Sequence, residues 1–197
     1  MSCVTSLSVG LSGDCAAVKK AGGAQKFIYA GSIDDIDSIT YDSTDGFITD
    51  IAMKTGKQLV KYVGRMEKNT ASEPVVAEGE GNVNLYTHTV QPVLYHFTQA
   101  DRNAIEELFA LDQAFFIVPT RANQCITYGI AKEGDRFQDY GLKVSEGDDP
   151  LGLVLNDQNA QTATFTGNLL TKALIYGEGE TFDANITALD LLLTPAV

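Results

Sequence analysis

The residues of this chain that could carry chemistry are few: two histidines, three cysteines and several acidic clusters among 197 residues. His88 and His96 would share a side if one strand ran through Pro92. Two ligands are too few for zinc, and no cysteine or acid is spaced to complete a site. Asp42-Ser-Thr-Asp-Gly46 has the look of a calcium loop but lacks the alternate-position oxygens and closing Glu of an EF-hand. It reads as an Asp-Gly turn. Asp34, Asp35 and Asp37 with Asp42 either hold a cation jointly or form a solvated acidic surface, and the sequence leaves both open. Glu78/Glu80 and Glu178/Glu180 are Glu-Gly-Glu pairs. Paired carboxylates can do glycosidic acid–base work, but flanking glycines mark these as loop residues. There is no Walker loop, nucleophile elbow, zincin helix or dinucleotide fingerprint. The expectation is a protein that is not an enzyme and takes no cofactor or metal. Cys3, Cys15 and Cys125 form neither a disulfide framework nor a zinc pattern, though a Cys3–Cys15 bridge stays open.

With no chemistry to position, the elements of the chain must serve as a scaffold. Its length predicts one domain with a real core. Its 44% hydrophobic and 20% charged residues are those of a globular protein. The net charge of −12 repels phosphate, which argues against stable nucleic-acid binding but not against a surface past which DNA slides. No apolar run approaches the ~18 residues of a membrane span, and no signal peptide is evident, so assembly in a cytoplasm is expected.

Along the chain, residues 1–26 are rich in Ser, Gly and Ala, and read as a flexible arm or a segment ordered against a neighbour. Phe27-Ile-Tyr-Ala-Gly31 begins the core, which is expected to run to about residue 175. Asp45-Gly46 precedes a strand at Phe47–Thr55. Lys54-Thr-Gly-Lys57 then reads as the turn of a β-hairpin into Gln58–Gly64. Val83–Val90 alternates with period two. Thr98, with Asp101 three residues on, predicts the capped start of a helix over about residues 99–112, with Ala104, Ile105, Leu108 and Phe109 apolar. Pro92 predicts an edge or bulge. Phe115–Val118 and Cys125–Ile130 return to strand composition. Leu151–Asn156 and Ala160–Gly167 read as a further hairpin. The end, residues 176–197, is apolar for a free tail and is expected to dock on the core or on a neighbour.

Lys54, Lys57, Lys61, Arg65 and Lys68 cluster beside an acidic segment, Phe27–Met53, that has no Lys or Arg. Three readings stand. The cluster docks on an anionic partner, is a charged surface balanced by acids in the same fold, or forms one of two complementary edges of a self-assembling subunit. On the last reading, reversing Lys57, Lys61 and Arg65 to Glu impairs assembly more than folding. The long polar connection Asn69–Gly81, with Glu73, Glu78 and Glu80, is a second candidate contact. These six residues (Lys57, Lys61, Arg65, Glu73, Glu78 and Glu80) are the expected oligomer interface.

Taken in order, several segments resemble tailed-phage structural proteins, in particular tail-tube subunits of Bacteroides-type phages. They are Phe27-Ile-Tyr-Ala-Gly-Ser-Ile33 with its Asp-rich turn, Ile48–Gly64, Gly81–Phe97 feeding the helix, Phe115–Val118, Tyr140–Ser145 and Thr162–Gly167. The resemblance spans roughly residues 27–170 and rests on element order. It implies a mainly β fold, a β-sandwich or small barrel with one flanking α-helix and extended terminal arms or loops. It also implies six-subunit rings that stack into a tube in the virion, with itself and other virion proteins as partners and DNA only as passing cargo. Alternatives are a head-decoration, neck or adaptor, or tail-terminator protein. From another class comes a receptor- or carbohydrate-binding β-sandwich, for which Tyr128 and Tyr140 are the candidate platform residues.

Overall fold

Residues 114–119, Ala-Phe-Phe-Ile-Val-Pro, carry no polar side chain to turn toward water, so a strand formed from them must be covered on both faces. In the computed structural model they form β9 (Ala114–Pro119), and all six are buried. The structure describes residues 23–64, 68–77, 84–95, 98–133, 136–138, 141–148 and 160–195. The fold is mainly β, with fifteen strands and two α-helices among these residues.

β9 lies between β1 (Phe27–Ser32) and β10 (Cys125–Tyr128), both antiparallel to it. Beyond β1 comes β4 (Val60–Val63), which ends the sheet. Beyond β10 come β15 (Leu174–Tyr176), then β3 (Ile48–Met53) and β2 (Ile36–Tyr41) at the opposite edge. The β15–β3 contact is parallel, through Tyr176 and Ile48. Alternation along the central strands divides them between two cores. Ile28, Ala30, Phe116 and Val118 face one; Tyr29, Phe115 and Ile117 face the other.

The first core is closed by a second sheet and a helix. That sheet orders β13 (Lys143–Asp148), β14 (Ala160–Leu169), β7 (Asn84–Gln91) and β5 (Thr70–Ser72). β6 (Val75–Ala77) also pairs with β7, and β8 (Val93–Tyr95) with β14. Pro92 splits β7 from β8 while both keep one register on β14, because proline has no N–H for the ladder. β11 (Ala131–Glu133) and β12 (Arg136–Gln138) form a separate two-stranded ribbon. Val90, Phe165 and Leu169 from the second sheet meet Ile105 and Leu108 of α1 (Gln99–Phe109). The capping box forms in full: Thr98 Oγ1 accepts from the Asp101 N–H at 3.2 Å, and Asp101 Oδ2 accepts from the Thr98 N–H at 2.8 Å. α1 is the expected flanking helix, ending at Phe109 rather than near 112.

The second core is closed by a second helix, which was not among the expected elements. Residues 182–191 form α2 (Phe182–Leu191), whose Leu189 is fully buried among Tyr29, Ile33, Ile48, Ile51 and Leu59. The Thr181 hydroxyl caps it by accepting from the Ala184 N–H. The Asn185 amide donates to the Gly177 carbonyl at 3.0 Å and, more weakly, to that of Tyr176. α2 and the two leucines after it thus form a plug under the sheet.

The hairpin expected around Gly56 requires correction. Its turn exists: the Lys57 N–H donates to the Lys54 carbonyl, with Gly56 at φ +78°. But the strands on either side do not pair. β3 lies between β2 and β15, whereas β4 pairs with β1 in the register Ile28–Tyr62. The turn fixes a reversal and says nothing of the partner; β1, buried on both faces, needed a second neighbour. The geometry also curls the sheet. Five spacings separate β3 from β4, roughly 24 Å on a flat sheet. A turn confines four of the linking residues within about 7 Å, too short for that span. The sheet therefore bends into a half-barrel with α2 inside the bend.

Candidate assembly interface

Among the described residues no strand pairs with the outer side of β4. The Gly64 N–H donates to the Lys26 carbonyl, so the alternation of an antiparallel ladder turns Tyr62 and Val60 toward β1. The backbone N–H and C=O groups of Lys61 and Val63 point the other way, to the open edge. Val60 and Val63 are 43% and 60% exposed there. Such an edge is a template for another strand.

Two grooves border it, on either side of Tyr62. One, of about 240 Å³, lies between β4 and the start of α1, lined by Val60, Val63, Leu94, Ala104 and Ile105. The other, of about 210 Å³, runs under Val60 to Leu108 and Leu111, with Asp35 and Glu107 at its rim. Tyr62 spans the gap by donating to the Ala104 carbonyl at 3.3 Å. Burial, with the Glu107 carboxylate second, pushes its phenol up to about 12. Open backbone, apolar side chains and pockets at alternate positions together suit an added extended segment.

The lysines of β4 and its approach are engaged within the subunit. Lys61 Nζ meets Asp190 Oδ1 of α2 at 2.7 Å and stands 4.6 Å over the Phe27 ring. Tyr29 donates to the same carboxylate oxygen at 2.7 Å. Burial alone would raise the Asp190 carboxyl, but the hydrogen bonds from Lys61 and Tyr29 outweigh it and hold the group below its ordinary value. Burial also raises the Tyr29 phenol, with the Asp190 bond adding to it. Lys57 pairs with Asp35 at 2.9 Å, and Lys54 donates to the Asp34 carbonyl. Glu73 accepts from the Ala173 N–H at 2.6 Å and ties β5–β6 to the segment before β15. Arg65, Glu78 and Glu80 lie outside the described residues. Of the expected interface, the structure thus places Lys61 on β4 and Lys57 in the turn leading to it, and sets Glu73 apart between β5 and β6.

The other edge of the large sheet, β2, carries exposed Asp37 with Asp34 just before it, and exposed Asp50 on β3 behind it. Asp42 closes a turn by accepting from the Thr44 and Asp45 N–H groups, each at 2.8 Å, and those bonds hold its carboxyl below its ordinary value. Among the described residues no three His, Cys, Asp or Glu side chains gather as metal ligands.

His88 is a core residue. Its Nδ1 accepts from the Gly129 N–H at 3.2 Å, so Nε2 carries the proton and donates to the Thr171 carbonyl at 3.0 Å. Tyr128 packs edge-on against it and is itself buried, so it offers no carbohydrate platform. Burial lowers the His88 pKa and pushes the Tyr128 phenol up to about 12. Cys125 is free and buried, its thiol likewise pushed up to about 12. His96, Tyr140, Cys3, Cys15 and residues 151–156 lie outside the described residues. Among the described residues no helix is long and apolar enough to cross a membrane.

The sequence missed the grooves because they need α1, β4 and β8 side by side. The one local signal was a strand with apolar residues on both faces, Leu59 and Val63 against Val60 and Tyr62. No protein-family model, no curated protein and no solved structure matches this chain.

Proposed function

We propose that this chain is a self-assembling structural subunit of a virion, a tail-tube protein that forms stacked hexameric rings around a DNA conduit and is assembled in the host cytoplasm. The observation that supports this reading most is the open β4 edge, with its outward backbone groups, exposed valines and flanking grooves. The opposite edge, β2, supplies a surface of different chemistry. A contact between unlike surfaces of identical subunits repeats head to tail, and closes into a ring when the rotation permits. Joining the acidic β2 side to the β4 side adds a ladder across the junction and buries Val60 and Val63. The partners are other copies of this chain and neighbouring virion proteins, and no catalytic step is involved.

The test is a comparison of the wild-type protein with Val63→Asp by sedimentation velocity. Val63 contributes little to either core, so the variant keeps its fold, with a stability loss of about 1 kcal/mol or less. The reading expects large species from the wild type and a monomer from the variant. Equal assembly by both proteins would remove β4 from the joint.

A further inference from the structure

The sheet of β5, β7 and β14 presents a face unlike the rest of this acidic protein. About one residue in five of the chain is charged, yet β5, β7, β8 and β14 contain no Asp, Glu, Lys or Arg. Inward positions such as Val90, Phe165 and Leu169 enter the first core, which turns the alternate residues outward. Apart from Leu85 and Val93, those outward residues are hydroxyls and amides, and several satisfy one another. Thr87 donates to the Asn168 side chain at 2.8 Å, and the Gln91 amide to the Thr164 hydroxyl at 2.9 Å. Thr70 in turn donates to Gln91 at 3.0 Å. Thr89 stands at the centre, opposite Thr166 on one side and Ser72 on the other. Charge returns only on the outer strand β13, where Lys143 and Glu146 pair opposite Thr166 and Thr164.

We propose that this face is the wall of the channel and that double-stranded nucleic acid is what passes over it. The inference rests on the conduit reading above and goes further, since it names the face. A moving polyanion needs a wall without cations, which would hold each phosphate and release counterions. A wall of dense carboxylates would instead raise a repulsive barrier along the whole path. Neutral hydroxyls and amides do neither, because none of them brings a full charge to a phosphate or releases a counterion. The opposite side of the subunit, with α2 and its acids, then faces outward.

The experiment places a thiol at the centre of the face. In a Cys3→Ser, Cys15→Ser background, with Cys125 buried, Thr89→Cys is the single reactive site. N-ethylmaleimide and a maleimide carried on a dextran too wide for any such channel are applied to assembled tubes and to dissociated subunits. Both reagents are expected to label the dissociated subunit. In tubes, the small reagent is expected to label the introduced thiol and the dextran reagent to lose its reaction. Dextran labelling undiminished in tubes puts the face outside and overturns this inference alone. Loss of both reactions in tubes puts the face in a contact between copies and overturns the inference equally. If no rings or tubes form, the conduit reading falls, and this inference with it.

Discussion

Lys61 shows how one side chain can be claimed by a fold when its sequence context suggests an interface. Its ammonium neutralises Asp190, lies over Phe27, and so pins α2 to β4. Asp190 is part-exposed, and solvent screening keeps the ion pair itself to about 1 kcal/mol or less. The cation–π contact and the packed stem add about as much. Lys61→Ala should therefore lower stability by about 1–2 kcal/mol in urea denaturation. Lys57→Ala, at a more exposed pair, should change it by less than about 0.5 kcal/mol. Equal effects from both would contradict the asymmetry. His88 gives a second prediction. It is buried neutral, facing Gly129 and Thr171, with Tyr128 beside it and the Glu73 carboxylate close enough to act on it. Its folded pKa lies below 6.5, so its contribution is full above that value and shrinks as pH falls toward the folded pKa, where the unfolded chain takes up the proton first. Between about pH 7 and 5 the wild type should lose stability more steeply than His88→Gln. Parallel pH profiles would show that His88 does not titrate between the two states. That it is not a zinc ligand was readable from the lack of any third ligand beside His88 and His96; its partners were not, since Gly129 and Thr171 are remote in sequence.

At the scale of elements, what was legible depended on whether the signal was local. α1 could be read because Thr98, Asp101 and the spacing of Ile105 and Leu108 all lie within one short stretch. β9 could be read because Phe115–Val118 is a short apolar run of aromatic and β-branched residues. α2 could not. Its signal was present, since Phe182, Ile186, Leu189 and Leu193 recur at helical spacing behind the Thr181 cap and Asp183, but the Leu191–Leu193 run at its end hides that period. The pairing of β4 with β1 was also out of reach, because a Gly56 turn looks the same whether its arms pair or part. The attachment of α2 can be tested at Gly177. This residue has φ +62°, and a Cβ there would fall on the Asn185 carboxamide. Gly177→Ala should cost about 2–4 kcal/mol and speed hydrogen exchange in α2 first. Unchanged protection of α2 would mean that the Asn185 bonds do not hold it.

For the whole molecule, the sequence carried the acidity and the β-rich class, and the three-dimensional structure shows how they are arranged. One curled sheet separates two cores, one closed by the second sheet with α1 and the other by α2. Charged groups collect at the large sheet's edges, around α2 and on β13, while the outer face of β5, β7 and β14 stays neutral. An open, valine-bearing edge beside two grooves is a surface on which another strand can add, and it supports the assembly proposed. The central claim is that assembly, and its most direct measurement is negative-stain electron microscopy of the purified wild-type protein over a range of concentrations. Rings of six-fold symmetry or tubes of stacked rings are the predicted result. A species that stays monomeric at the highest concentration, and cannot be induced to polymerise, would contradict it.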